Sequence, residues 1–315
     1  MKKKLQTIKN FIKRFIRRLL IKLHYIHLPG FQGHSLHTVG QLFFKGLTQG
    51  FVTERAASVA FSFFTALFPL LLFSFTLLPY IPISNFQENL LGYLQNIIPP
   101  QIWSIMDDTV TYIITHKSSN LLSISVILSL YFGTNGINSL FSAFRQTYHE
   151  FTGASNWLKN RLYSLIILVL IFVLLSMSVV TLGFGKYILN VFRQEEIISG
   201  FLQILFNIVR LMIAVLTVMI AIATFYYFGN SRPRKFRIVT PGTIISTVLI
   251  ALTTTGFNYY ITNFSRYNIL YGSLGTILIL TFYLYINAVF ILIGFEINTS
   301  IRVAEKLSKP QFLQD

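Results

Sequence analysis

The chain has 315 residues, of which 53% are apolar and only 11% are charged, and its formal net charge is +16. Soluble domains have about a quarter of their residues charged, so most apolar residues here must face something other than water. The absence of cysteine excludes disulfides, thiolate metal ligands and a cysteine nucleophile.

Residues 5–26 form a basic amphipathic pattern. Apolar residues recur at helical spacing from Leu5 to Ile26, with lysine or arginine between them. Because these charges interrupt every apolar run, a cleaved signal peptide is not expected. The pattern predicts a helix that lies flat on the inner leaflet, and a partner-binding helix is the alternative. A shorter amphipathic stretch, Val39 to Phe51, follows, and we group residues 1–50 as a cytoplasmic and interfacial segment.

Six segments are long and apolar enough to cross a bilayer, which requires about 20 mostly apolar residues. They predict an all-α integral membrane protein with one transmembrane domain, residues 51–305, and a cytoplasmic tail, residues 306–315. The predicted spans lie near residues 56–80, 121–145, 162–187, 204–228, 239–263 and 273–299.

A further helix is predicted between the first two spans. Pro99 and Pro100 suit the first turn of a helix. Ile102, Met106 and Val110 then share one face, and acidic residues lie opposite. This spacing predicts a second interfacial helix, on the outer side of the membrane.

The basic residues predict that both termini are cytoplasmic. With the N-terminus inside, most Lys and Arg residues fall on the inner side, whereas Asp and Glu show no such bias. This pattern is typical of multi-pass membrane proteins. The positive charge therefore indicates one membrane face that attracts anionic headgroups, and no nucleic-acid partner is expected, because no recognition motif accompanies it. The basic residues predicted outside are Lys117, Lys186, Arg193 and Arg266.

Glu296 is an acid inside the predicted sixth span, where ionisable groups are costly and often functional. It lies near the cytoplasmic end of that span, at the depth of Arg55 in the first. We expect an ion pair that ties these two helices together. A proton or substrate site and snorkelling of the Glu296 side chain are the alternatives.

Arg210 is a base inside the predicted fourth span, about 10 Å from its outer end at 1.5 Å per residue. Its depth differs from that of Glu296, so a direct ion pair between them is not expected. The guanidinium suits a lipid phosphate, which it can bind through two hydrogen bonds. Snorkelling to the outer interface is the alternative.

Polar residues in two spans form a candidate intramembrane site. Asn135 and Asn138 in the second span, with Asn258 in the fifth, would line a hydrophilic groove. The alternative is that they serve as hydrogen-bonding contacts between helices.

Three residues are candidate kinks or hinges. Pro69 is expected to kink the first span, because it has no backbone N–H to donate within the helix. Gly272 and Gly275 are expected to form a tight turn into the sixth span, and a moving hinge is the alternative.

The sequence offers no candidate catalytic, cofactor or metal site. His24, His27, His34 and His37 are close in sequence, but no acid lies among them, so we interpret them as interfacial residues. Phosphodiester hydrolysis usually needs carboxylates or histidines clustered on a metal, and ATP use needs a phosphate-binding loop. Neither pattern occurs, and we predict neither an enzyme nor a cofactor.

Five short strings recur in an order and spacing typical of one protein family. They are Arg55-Ala56-Ala57, Phe68-Pro69-Leu70, Pro241-Gly242, Tyr271-Gly272-Ser273-Leu274-Gly275 and Gly294-Phe295-Glu296. Over roughly residues 40–305 the chain resembles the YihY/BrkB family, part of which was formerly labelled ribonuclease BN. The resemblance implies a six-span protein of the bacterial inner or plasma membrane, and it favours lipid or envelope-related transport.

We therefore predict a protein that transports or translocates a lipid or an amphiphilic anion and contributes to maintenance of the cell envelope. A non-transporting scaffold for envelope enzymes is the alternative, and ribonuclease activity is not expected. Membrane lipids are the predicted partners. The sequence leaves open a homo-oligomer or an envelope-protein partner.

Overall fold

The structure, a computed structural model, describes residues 30–82, 86–97, 100–148, 157–194, 200–230, 235–263 and 273–308. Within these ranges all regular secondary structure is helical, as predicted for an all-α protein. The predicted amphipathic helix of residues 5–26 lies outside the described residues, and so does Gly272.

Nine α-helices occur in the described ranges, and a single 3-10 turn follows the second of them. The helices are α1 (Leu36–Gln49), α2 (Val52–Leu77), α3 (Phe86–Ile97), α4 (Pro100–Thr115), α5 (Ser119–Arg145), α6 (Trp157–Gln194), α7 (Gly200–Phe228), α8 (Pro241–Asn263) and α9 (Ser273–Ser308).

Five of these helices, α2, α5, α6, α7 and α9, are long and apolar enough to cross a membrane. They coincide with five of the six predicted spans. Helix α8 follows the remaining predicted span, 239–263, closely, but it is not among the five found in the described ranges. Its threonine run, Thr253 to Thr255, and Asn258 dilute its apolar content. The crossing of α8 therefore stays a prediction.

Helix α9 is longer than its predicted span, residues 273–299, and ends only at Ser308. The predicted span stops before the charged residues that begin at Arg302, whereas a helix continues while one of its faces stays buried. In α9 this face continues through Ile297, Ile301 and Ala304, which pack against α1 and the segment before it.

Two other parts also differ from the prediction. Helix α6 extends beyond 162–187 at both ends, and at its start it includes the charged Lys159. The segment after α2 contains two helices where one was predicted. Helix α4 starts at Pro100 as expected, but α3 was missed, because it is short and Gly92 in its middle is a poor helix former.

The six long helices pack in a closed cyclic order. Each helix from α2 through α5, α6, α7 and α8 packs against the next, and α9 packs against both α8 and α2. Neighbouring helices α2 and α5 run antiparallel: Arg55 bonds to the carbonyl of Ala143 at one end, and Thr76 bonds to Ser125 at the other. The order along the chain is therefore the order around the ring.

Small and polar residues let α2 and α5 approach closely. A Cβ added at Gly136 of α5 would lie 2.9 Å from a ring carbon of Phe63. The hydroxyl of Ser129 donates a 2.7 Å hydrogen bond to the carbonyl oxygen of Pro69. Helix α2 continues through Pro69 as one helix, so the proline is accommodated inside a packed pair.

Helices α8 and α9 cross at two glycines. A Cβ added at Gly242 would overlap the carbonyl oxygen of Gly294, and one added at Gly294 would overlap the hydroxyl of Ser246. Tyr226 of α7 fixes this crossing: its hydroxyl donates to the carbonyl oxygen of Ile291 at 2.8 Å and bonds to Ser246 Oγ at 2.7 Å. The glycines thus allow three helices to meet through backbone and hydroxyl groups.

We expect Gly242→Ala to lower the thermal unfolding midpoint of the detergent-solubilised protein, because the added methyl group must push α8 away from α9, at about 1–3 kcal/mol. Gly256→Ala is the matched control in the same helix, since nothing lies within 4 Å of an added Cβ there. Its midpoint should stay unchanged or rise. Equal midpoints for the two variants would show that the crossing tolerates a side chain.

Candidate functional site

Arg55 of α2 and Glu296 of α9 lie in contact inside the bundle. Arg55 Nη2 lies 2.7 Å from Glu296 Oε1, and the two side chains are 4% and 0% exposed. A charge buried this deeply is costly unless it is paired and hydrogen-bonded. Each residue therefore supplies the counter-charge that allows the other to be buried.

Two further hydrogen bonds connect this pair to the end of α5. Arg55 Nη1 donates to the carbonyl oxygen of Ala143 at 2.7 Å, and Thr147 Oγ1 donates to Glu296 Oε2 at 2.8 Å. Both carboxylate oxygens are thereby satisfied. The start of α2, the end of α5 and an interior position of α9 meet at one buried polar junction.

The surroundings of the junction are apolar and tightly packed. The ring of Phe295, next to Glu296, stacks on the ring of Phe144 with a centroid distance of 4.1 Å. The rings of Phe144 and Phe295 are almost fully buried. At Gly50, just before α2, an added Cβ would lie 3.1 Å from Arg55 Nη2. Low local polarity strengthens the ion pair and raises the cost of breaking it.

Thr147 was not predicted as part of this site. It lies two residues beyond the end of α5, outside any apolar run, and only 5% of it is exposed. Helical periodicity gives no information about a residue after a helix end. A buried threonine that follows the basic Arg145 has no distinctive sequence signal.

Arg210 lies on the half-buried face of α7 rather than on its exposed faces. The residues of this face recur every four positions, and one of them packs against the main hydrophobic core. In the described part of the chain, no hydrogen bond or ion pair joins the guanidinium to another residue. The half-buried residues are Phe206, Arg210, Ala214 and Val218, and those exposed beside them are Ile208, Val209, Leu211 and Met212.

The polar residues predicted to line one groove are not brought together. Asn135 of α5 is half-buried and accepts a hydrogen bond from Arg161 of α6. Asn138 is also half-buried, and its Oδ1 has no hydrogen-bond partner among the described residues. Asn258 of α8 is exposed, and α8 and α5 are not neighbours in the ring. Asn135 therefore serves as a contact between helices, and a binding role for these residues stays a prediction.

The candidate kinks and hinges are only partly described. Gly275 is buried in the first turn of α9, which begins at Ser273. Pro69 lies inside α2 and accepts the hydrogen bond from Ser129. Movement at either position stays a prediction. The described residues also contain no group of three His, Asp or Glu side chains that could hold a metal ion.

We expect Glu296→Gln to destabilise the protein by about 3–5 kcal/mol, because it leaves the Arg55 charge buried without a counter-ion. The double variant Arg55→Met/Glu296→Leu should recover much of this loss, since it removes both charges together. Glu88→Gln, an exposed acid in α3, is the control and should have little effect. The free energy of unfolding in mixed detergent measures all three. An additive double variant would contradict direct coupling between the two charges.

Several curated proteins resemble this chain over most of its length. It is 24% identical to the ribonuclease-like protein YfkH of Bacillus subtilis over 254 residues, which are 81% of this chain and 91% of that protein. It is 21% identical over 270 residues to the UPF0761 membrane protein NTHI0384 of Haemophilus influenzae, with coverages of 85% and 96%. It is 25% identical over 257 residues to the UPF0761 membrane protein of Coxiella burnetii, with coverages of 78% and 87%. No solved structure matches the chain.

The family profile described as "Virulence factor BrkB" matches residues 43–313, which is most of the chain. This range includes every long helix and the Arg55–Glu296 junction. Two of these relatives are named membrane proteins, which agrees with the five helices that are long and apolar enough to cross a membrane. The chain is therefore a membrane protein that belongs to the BrkB family, also called YihY/BrkB.

Proposed function

We infer that this protein spans the bacterial plasma membrane six times, with both termini in the cytoplasm, and moves a lipid or an amphiphilic anion across the bilayer. Arg210 is the observation that carries this inference. It is a cation on the inward face of a membrane helix, and none of the described residues neutralises it. An anion from outside the chain would supply the missing charge.

The position of Arg210 favours a ligand over a structural partner. An arginine inside a bilayer is expensive, and such residues face the interior of a bundle or a water-filled path. Within the described ranges, the acid buried in a span is Glu296, and it is already paired with Arg55. A guanidinium presents its donors in a planar fork, which fits a phosphate or a carboxylate. Phospholipid headgroups carry a phosphate.

The ring of helices supports six crossings. Helix α8 packs between α7 and α9, and both of these are candidate spans. A helix held between two membrane helices shares their environment, and the polar residues on it are tolerated where neighbours cover them. Thr254, for example, bonds to the hydroxyl of Tyr283 at 2.9 Å.

The basic residues support the orientation. Cytoplasmic loops of membrane proteins are enriched in Lys and Arg. The junction between α5 and α6, the segment before α8 and the end of α9 all carry such residues, and the proposal places all three inside. They are Arg145, Lys159, Arg161, Lys235, Arg237, Arg302 and Lys306.

A scaffold without transport activity is the alternative function. It requires only the packed bundle and does not explain a cation on the inward face of α7. Ribonuclease activity is suggested by the name of one relative alone. The described residues contain no carboxylate cluster for a catalytic metal, and Glu296 is committed to Arg55. We therefore expect no enzymatic activity.

The orientation can be tested with single cysteines, because the chain has none of its own. In intact spheroplasts, a membrane-impermeant maleimide should label Lys117→Cys before α5 and Asn263→Cys at the end of α8. Lys159→Cys should react only after permeabilisation. Labelling of Asn263→Cys only after permeabilisation would show that α8 does not cross.

Transport can be tested in proteoliposomes with fluorescent phosphatidylglycerol, whose outer-leaflet fraction is bleached by dithionite. Wild-type protein should raise the exchange rate between leaflets above that of protein-free liposomes. Arg210→Ala should lower the protein-dependent rate by about tenfold or more, and Arg210→Lys should lose less, because it keeps the charge without the fork.

The control for this assay is Lys117→Ala, which removes a cation on the same proposed side but outside the spans. It should leave the rate unchanged. Background exchange with wild-type protein would reject lipid translocation, and an unchanged rate in Arg210→Ala would reject the role of Arg210.

A further inference from the structure

A cavity of about 630 Å³ lies at the other end of α7, where the segment before α8 meets α9. Its walls combine the last turn of α7, the first turn of α8 and the C-terminal half of α9. This volume is within the range of about 300–1,000 Å³ that small-molecule sites occupy. The sequence pattern did not predict this cavity, because its lining comes from three helices, the segment before α8 and the segment before α1.

The described residues that line the cavity include three cations and no acid. Lys235 and Arg237 come from the segment before α8, and Arg302 comes from α9. The first two side chains are exposed, and no hydrogen bond or ion pair joins them to another described residue. Arg302 is held in place, since its Nη2 donates to Thr299 Oγ1 at 2.9 Å. One fixed cation and two exposed cations therefore face the same space, which favours an anion.

The helix terminus beside the cavity does not itself offer free amides. The N–H of Gly242 donates to Asn298 Oδ1 at 2.9 Å, and the N–H of Thr243 donates to Thr240 Oγ1 at 3.2 Å. Thr240 N–H donates to Thr243 Oγ1. An anion in the cavity would thus be bound by side chains.

The floor of the cavity is apolar, and its mouth lies at the start of α8, which is proposed to cross the membrane. Ala223, Phe295 and Ile301 line the floor and are buried. Val239 lines the mouth, two residues before α8 begins, and is 66% exposed. An acyl chain could leave the cavity past Val239 and continue along the bilayer.

We propose that this cavity binds the phosphate-bearing headgroup of an anionic amphiphile from the cytoplasmic leaflet, through Lys235 and Arg237, with its apolar part on the floor and past Val239. This inference rests on the proposed function, because the proposed topology places the cavity on the cytoplasmic side. It goes further in naming a second anion site, at the opposite end of α7 from Arg210. The shared chemistry of lipid headgroups and free phosphates is the phosphate group, and the apolar floor and mouth favour the lipid.

The test measures binding to the full chain in dodecyl maltoside by microscale thermophoresis. The probes are dihexanoyl phosphatidylglycerol, dihexanoyl phosphatidylcholine and glycerol 3-phosphate. The anionic lipid should bind most tightly, and Lys235→Gln/Arg237→Gln should weaken its binding by about tenfold or more, as expected for loss of charge-assisted hydrogen bonds.

The matched control is Lys45→Gln/Lys159→Gln, which removes two exposed cations away from the cavity lining. Its affinity should equal that of the wild type. Val239→Glu, which adds a carboxylate at the mouth and removes no cation, should also weaken binding. Thermal unfolding of each variant shows whether the fold is retained, and the fold should be retained because all substituted positions are exposed.

Two results would overturn the proposal. Equal affinity of the anionic lipid for the wild type and for Lys235→Gln/Arg237→Gln would show that the cavity cations do not bind it. If glycerol 3-phosphate bound as tightly as the lipid, the cavity would be a site for a soluble anion, and the proposal of an amphiphilic ligand would be rejected. Binding without leaflet exchange would support the cavity site and reject the proposed transport, so the two failures are distinct.

Discussion

The buried ion pair between Arg55 and Glu296 is the constraint on which the arrangement of this bundle depends. It closes the ring of helices, because α9 must return to α2 for either charge to be neutralised. The end of α5 joins the same junction through the Ala143 carbonyl and the Thr147 hydroxyl. Apolar packing between helices is weakly directional in lipid, so polar contacts of this kind specify which faces meet. The register of three helices follows from one set of hydrogen bonds.

Arg210 lies on α7, and the last two turns of the same helix line the basic cavity. Arg210 and Tyr226 are about 24 Å apart along the helix axis at 1.5 Å per residue. Tyr226 lines the basic cavity and also fixes the glycine crossing of α8 and α9. A change in how these two helices cross would therefore change the walls of the cavity. The two proposed anion sites lie toward opposite ends of this helix, and the crossing lies at the same end as the cavity.

Sequence reasoning was strongest where one physical quantity decides the outcome. Uncharged runs located five apolar helices, and comparison of depth in the membrane placed Arg55 opposite Glu296. Sequence reasoning was least informative where contacts with another helix determine the structure. Helix α9 continues past its apolar run because Ile301 and Ala304 are buried by α1, and this contact is not visible in either segment alone. Asn135 was expected either to line a groove or to make a contact between helices, and its partner, Arg161 on α6, could not be identified from the sequence. The cavity of α7, α8 and α9 was missed for the same reason.

The ring order has a consequence for biogenesis. Helices that contact their sequence neighbours can pair as soon as they leave the ribosome and enter the membrane. The pair α2 and α5 meets early, and the hydrogen bond from Arg55 to the Ala143 carbonyl can form at that stage. The guanidinium charge, however, is neutralised only by Glu296, which lies in α9 and is synthesised after all the other described helices. A nascent or truncated chain without α9 carries an uncompensated cation inside its first membrane helix. The unpaired Arg55 charge therefore distinguishes a chain without α9 from the folded protein. Membrane proteases that recognise intramembrane charge would have a physical basis for removing such a chain.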